Sequence, residues 1–157
     1  MPVYTLHQTL RIPSTLEKVW DFIAAPGNLK KITPPYMGFD ITTKGLPSKM
    51  YPGMIIHYKV SPVFGIQTTW VTEITQVSDL KYFVDEQRVG PYRMWHHQHF
   101  IEQIDGGVLM TDIVDYQPPL GFLGALANWL IIQRKLREIF DFRTMKVEEH
   151  FGKFNSI

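Results

Sequence analysis

LGFLGALANWLIIQRKLREIFDFRTMKVEEHF, residues Leu120 to Phe151, is the stretch that decides how this chain folds. It has no proline, and its two glycines, Gly121 and Gly124, lie at its start, where they cost a helix least. A single helix of about 30 residues would run roughly 45 Å. Apolar residues recur at Phe122, Leu126, Trp129, Leu130, Leu136, Ile139, Phe140 and Val147, which predicts one broad buried face. Arg134, Lys135, Arg137, Glu138, Lys146, Glu148 and Glu149 occupy the other side and the far end. Between Phe122 and Ile132 the sequence is apolar nearly all round, as in a helix that is deeply covered or forms one wall of an apolar cavity. The segments upstream read as strands, so the helix is expected to bury Leu126, Leu130 and Phe140 against a sheet.

Working back toward the N-terminus, Val3 to Ile12 alternates, with Tyr4, Leu6, Leu10 and Ile12 on one face, and reads as a half-buried strand. Ser14-Thr15-Leu16-Glu17 has the spacing of a capping box, and Leu16, Val19, Trp20 and Ile23 follow at helical spacing. Pro26-Gly27 ends that helix, and Asn28 is the expected cap of a second short one, Leu29 to Ile32. From Gly38 the period becomes two. Strands are expected at Phe39–Lys44, Met54–Val60, Ile66–Val77, Lys81–Arg88, Tyr92–Ile104 and Val108–Gln117. Pro52-Gly53, Ser61-Pro62, Ser78-Asp79, Gly90-Pro91 and Asp105-Gly106-Gly107 separate them, and Pro118-Pro119 closes the series. Strands segregated from helices predict an α+β domain over residues 1–157, with a curved antiparallel sheet of six to seven strands wrapped around the C-terminal helix and two short helices after the first strand. A twisted sheet of that size curls, and one helix cannot fill its concave face, so a pocket is expected between them.

Composition narrows the function classes. A formal charge of +1 offers no field for a nucleic-acid partner. The absence of cysteine removes disulfides, thiolate ligands and cysteine nucleophiles. No signal peptide is legible at MPVYTLHQTLRI, and the longest uncharged apolar run, Leu120 to Ile132, is too short for a bilayer, so a cytoplasmic protein without a transmembrane segment is expected. The sequence gives no oligomeric state.

Three strings carry a family resemblance: Phe83-x-Asp85-x-Gln87-x-x-Gly90-Pro91-Tyr92-x-x-Trp95-x-His97-x-His99, then Thr111-Asp112-x-Val114-x-Tyr116, then Pro119-x-Gly121. With the element order and the long last helix, they resemble the START-like (SRPBCC) helix-grip superfamily over the whole chain, and within it the bacterial ligand-binding SRPBCC-domain subgroup. The resemblance implies a helix-grip fold holding a ligand. Because the superfamily spans lipid carriers, allergen-like binders, aromatases and cyclases, it does not choose among them.

The chemistry-bearing residues gather on three consecutive strands. Alternation puts Trp95, His97, His99 and Ile101 on one face, Phe83, Asp85 and Gln87 on one face of the strand before, and Met110, Asp112, Val114 and Tyr116 on one face of the strand after. If all three sets face the helix, Asp85, Gln87, His97, His99, Asp112 and Tyr116 form a polar patch in an apolar cavity that Tyr58, Trp70, Phe83, Trp95, Leu126 and Leu130 also line. A single bulge would reverse part of this assignment. The patch has three readings: a structural network that satisfies buried polar groups, a ligand-orienting set, or acid–base machinery built from His97, His99 and Asp112. His97 and His99 also point the same way, which would suit a metal with Asp85 or Asp112 as oxygen donor, but neither a metal nor a cofactor is expected. His96 should face away from His97 into solvent. The expected function is binding of a small hydrophobic or amphipathic molecule (lipid, polyketide or aromatic-like) between sheet and helix. The alternatives are an aromatase, cyclase or dehydratase-type enzyme using the same cavity, and a protein-interaction module docking through the outer sheet face.

Overall fold

The computed structural model describes residues 2–61 and 65–154. In chain order it contains β1 (Tyr4–Ile12), α1 (Leu16–Ile23), two 3₁₀ turns (Pro26–Ile32 and Pro35–Met37), β2 (Asp40–Ile41), β3 (Met54–Val60), β4 (Thr68–Ser78), β5 (Tyr82–Val89), β6 (Met94–Ile104), β7 (Gly107–Gln117) and a C-terminal helix built from α2 (Gly121–Ala127), a π-turn (Asn128–Ile132) and α3 (Gln133–Phe151). The strands form one antiparallel sheet in the order β1-β7-β6-β5-β4-β3-β2, so β2 to β7 meander and β1 returns to pair with β7. This is the expected helix-grip α+β architecture. The Ser61-Pro62 turn reaches Pro62, which lies outside the described residues.

Local chemistry accounts for the element ends. Thr15, not Ser14, caps α1: its Oγ1 accepts from Lys18 N–H at 3.4 Å, which leaves Glu17 one position short of a capping box. Asn28 does not cap a following helix. Its Nδ2 donates to the Phe22 carbonyl at 2.9 Å and satisfies the last turn of α1 instead. The strand expected at Phe39–Lys44 shrinks to β2, because the Thr42 and Thr43 N–H groups both donate to the single carbonyl of His57. The β4–β5 ladder carries the sheet's irregularities: Arg88 of β5 is the extra residue at the Val71–Thr72 step, and Thr75 of β4 is the extra residue between Ile74 and Gln76. Trp70, Thr72 and Ile74 face inward before the second bulge, and Val77 packs on the core after it.

The core has two halves. Val19, Trp20 and Ile23 of α1 pack with Phe83, Ile101, Met110 and Val147. Trp70, Tyr92, Val114, Tyr116, Leu136 and Phe140 form the second half, beneath the start of α3.

The C-terminal helix departs from its expected face. Leu136, Phe140 and Val147 are buried, but Leu126 and Leu130 are 49% and 53% exposed, and Phe122 and Trp129 are more open still. The residues turned inward along the first half are Gly124 and Asn128, followed by Leu136 and Phe140, with Ile132 half-buried between them. Steps of four would carry a stripe about 40° around an α-helix each time. The wide turn at Asn128–Ile132 absorbs that drift and keeps the stripe on the sheet. Asn128 is held there by Tyr116, whose hydroxyl donates to Asn128 Oδ1 at 2.8 Å. Hydropathy periodicity selects the apolar side of such a helix, whereas here a glycine and an asparagine occupy the contact. No helix among the described residues is long and apolar enough to cross a membrane.

Two consequences are measurable. Leu130→Asp should change stability by less than about 1 kcal/mol, whereas Phe140→Ala should cost about 3–5 kcal/mol in denaturant melts. Gly124→Ala should destabilise although helix propensity alone favours alanine by about 1 kcal/mol, because the added methyl would run into the Pro119 carbonyl oxygen. Overpacking of that kind typically costs about 1–3 kcal/mol, a drop of roughly 2–12 °C in Tm for a chain of this size.

Candidate functional site

The inward faces of β5, β6 and β7 meet α3 over a lattice of side chains set by strand register. Asp85 pairs with His97 across β5 and β6, and His99 pairs with Asp112 across β6 and β7. Since His97 and His99 are two residues apart on one face, each histidine also reaches the other strand's carboxylate diagonally. His97 Nε2 lies 3.0 Å from Asp112 Oδ1, and His99 Nδ1 lies 2.9 Å from the same oxygen. On the other side, His99 Nε2 is 2.7 Å and His97 Nδ1 3.5 Å from Asp85 Oδ2. Arg143 of α3 brings Nη2 to 3.4 Å from Asp112 Oδ1 and 3.3 Å from His99 Nδ1. One donor atom from each of Asp85, His97 and His99 lies within 4.8 Å of the other two, which makes the three a candidate metal ligand set.

Aromatic packing fixes the two imidazoles. Phe83 stacks on His99 with ring centres 4.0 Å apart, and Phe140 and Trp95 meet His97 edge-on at 5.5 and 6.3 Å. The ionisation states follow from burial and neighbours. Burial pushes Asp112 up, but the Arg143 charge and the bonds from His97 and His99 outweigh it and hold the carboxyl well below its ordinary range. Burial also acts to raise Asp85, and the His99 bond with the nearby His97 and Arg143 charges turns the net shift downward. His97 is lowered to about 4, by burial first and by His99 second, against the pull of Asp112 and Asp85.

Above this cluster, between sheet and helix, lies a cavity of about 150 Å³. Tyr58, Trp70, Phe83, Asp85, Trp95, His97 and His99 line it, all of them singled out in the sequence. Its far wall stacks Tyr58 on Trp70 at 6.0 Å with planes 14° apart, and Trp95 stands perpendicular to Trp70 at 5.3 Å. Tyr58 Oη lies 3.0 Å from Thr72 Oγ1, and Trp70 Nε1–H donates to the same oxygen at 3.1 Å. The remaining sequence candidates sit elsewhere. Asp112 lies beneath the histidines. Tyr116 turns to Asn128. Gln87 clamps the β5–β6 turn, donating from Nε2 to the Tyr92 carbonyl at 2.6 Å and accepting from Tyr92 N–H at 3.2 Å. Leu126 and Leu130, expected as helix-side lining, face outward for the reason given by the π-turn. His96 points to the outer face, with Nδ1 3.0 Å from Glu86 Oε1.

Arg143, Tyr92 and Ile139 also line the cavity, and the sequence periodicities do not single them out as lining. Tyr92 precedes β6, so strand alternation does not govern it. Ile139 borders Phe140 on the helix and was legible as apolar, though not as cavity wall. Among the described residues, Arg143 Nε is a buried side-chain nitrogen without a hydrogen-bond partner, on a residue that lines the cavity.

No protein-family model matches this chain, and no curated protein matches it. Solved structures do. Protein Ms6760 from Mycobacterium smegmatis is 18% identical, with 96% of each chain covered and a TM-score of 0.66. Ginseng major latex-like protein 151 from Panax ginseng is 13% identical over 95% of this chain and 97% of that one, with a TM-score of 0.65. Ara h 8.0201 is 14% identical over 94% and 99%, with a TM-score of 0.59. At these identities the likeness shows a shared helix-grip fold.

Arg143→Met should cost about 3–5 kcal/mol by leaving Asp112 buried and uncompensated, and the double variant with Asp112→Asn should lose clearly less than the sum of the two single variants in urea melts. The pH dependence has a definite sign. His97 is depressed in the folded state, so the unfolded chain takes up its proton first, and stability should fall as the pH drops from about 6.5 to about 4. Unfolding free energies at pH 7 and pH 5 check this.

Proposed function

We propose that the chain binds a small, ring-sized apolar molecule carrying a polar head, and that it belongs to the ligand-binding SRPBCC subgroup its motifs resemble. The observation that carries this reading is the cavity itself, with aromatic walls at one end and the Asp85–His97–His99–Arg143 group at the other. A space of about 150 Å³ matches one that takes up a benzene-sized molecule, which favours an aromatic-like ligand over a long-chain lipid. Trp70, Trp95 and Tyr58 offer faces and edges for offset or perpendicular ring contacts, worth about 0.5–1.5 kcal/mol each beyond simple burial. The unpaired Nε of Arg143 supplies a donor for an oxygen on the ligand.

Acid–base catalysis is the second reading, favoured by two imidazoles that line the cavity with a carboxylate beside each ring. Nothing in the cluster acts as an activated nucleophile, so binding ranks first.

A fluorescent aromatic probe should bind the native protein saturably at about one equivalent. Ile139→Trp should fill the cavity and abolish uptake with the fold retained, and Leu130→Trp, on the exposed side, should leave it unchanged. Folded wild-type protein that takes up no probe would overturn the binder assignment. A bound molecule released chemically altered, with the alteration lost in His99→Gln, would favour the enzyme.

A further inference from the structure

We propose that Asp85, His97 and His99 form a binding site for one divalent first-row transition metal ion, with Asp112 and Arg143 as its supporting shell. The assignment rests on the spacing of three donor atoms and on the carboxylate behind the two rings, not on the ligand reading. Asp112 Oδ1 and Asp85 Oδ2 are each approached by one nitrogen from both rings, which makes four nitrogen–oxygen approaches. Two of the four have hydrogen-bond geometry, His97 Nε2 with Asp112 and His99 Nε2 with Asp85. Without an ion, two neutral Nε2–H rings serve both, while Arg143 Nη2 donates to His99 Nδ1. No lysine or arginine among the described residues lies within ion-pair distance of Asp85, whereas Asp112 has Arg143.

A cation at the Asp85 end would take the place of the His99 Nε2 proton there. His97 keeps its Nε2–H on Asp112, and the His99 proton moves to Nδ1 beside the same oxygen while Arg143 Nη2 turns from His99 to Asp112 alone. The lone pairs on His97 Nδ1 and His99 Nε2 then face the ion beside Asp85 Oδ2. Ligands about 2.0–2.2 Å from one ion stand roughly 3–3.5 Å from one another. The two contacts to Asp85 Oδ2, 2.7 and 3.5 Å, bracket that separation. A carboxylate accepting from the far nitrogens of the ligating histidines is the usual support of such a site, because it fixes the tautomer and ring orientation. Here a single oxygen of Asp112 serves both rings, and Arg143 balances its charge. Two imidazoles and a carboxylate select zinc, iron or cobalt over calcium or magnesium.

The three ligands line the cavity, so the ion's open positions face it. The two carboxylates, Arg143 and a divalent ion together carry one net positive charge. The site therefore favours a cavity molecule with an anionic oxygen donor, such as a phenolate, enolate or carboxylate.

The test takes the full chain, stripped with a chelator and titrated with Zn(II) by calorimetry and with Co(II) by visible absorption. One equivalent should bind, and Co(II) should develop the stronger visible bands of a low-coordinate nitrogen–oxygen site. Asp112→Asn should weaken binding by about 10–100-fold, and Asp85→Asn and His97→Gln should weaken it further. His96→Gln, on the outer face, should leave it unchanged. In the Co(II) protein, proton NMR should resolve two paramagnetically shifted, slowly exchanging imidazole N–H signals, a readout that needs no variant. Folded wild-type protein whose added Co(II) keeps the spectrum of the free aqua ion would overturn the proposal. So would binding that survives Asp85→Asn in a folded variant or that His96→Gln abolishes.

Discussion

Asp112 is a buried carboxylate on β7, an interior strand next to the sheet edge, and an isolated charge there would cost several kcal/mol. Arg143 offsets it, and it is the one buried lysine or arginine among the described residues. That pairing does more than neutralise. A guanidinium reaching down from α3 can meet a fixed oxygen on β7 from only one turn of the helix, so it sets the axial position of the helix on the sheet. At the other end of the same helix, Tyr116 bonds Asn128. Two polar contacts from one strand, four residues apart, thus pin both halves of the helix, and the π-turn between them reconciles the spacing.

The histidine pair exists because the sheet is antiparallel and regular at this point. β5, β6 and β7 keep register through Asp85, His97, His99 and Asp112, and the bulges lie on the β4–β5 ladder, at Thr75 and at Arg88. The irregular ladder and the polar lattice are therefore neighbours with different tasks. The β4 side carries the Trp70 and Thr72 wall of the cavity, and the in-register pairs hold the charged groups to hydrogen-bonding distance. Aromatic rings join the two regions, since Trp95 contacts both Trp70 and His97.

The fold was legible because its signals are periodic. Alternation in Tyr92–Ile104 and Val108–Gln117 predicts which side of β6 and β7 faces the helix, and paired glycines and prolines mark the turns. The polar members of the site were legible for the same reason, as every second residue on adjacent strands. The helix side was not. Leu126 and Leu130 satisfy an apolar repeat and yet face outward, because the inward positions Gly124 and Asn128 are chosen for close approach and hydrogen bonding. Asn28 and Ser14 were misplaced by one capping step, since a side chain that can bond either neighbouring turn is assigned by backbone geometry and not by composition. Two alternating strands say nothing about which pairs across them carry protons, so the double approach of both rings to both carboxylates appears only with the register and the distances in hand.

The pairing of β1 with β7 joins the first strand of the chain to its last, with Tyr4 opposite Tyr116 and Ile12 opposite Val108. The hairpins from β3 to β7 can assemble from sequence neighbours as they leave the ribosome, but β1 can find its partner only after about a hundred further residues have been made. At about 5–20 residues per second that is an interval of roughly 5–20 s. Through that interval the edge of β1 and the apolar face of α1 are without the strand and helix that cover them. Such long-range closure slows folding, and it makes completion of the sheet a late, all-or-none event in the life of each new chain.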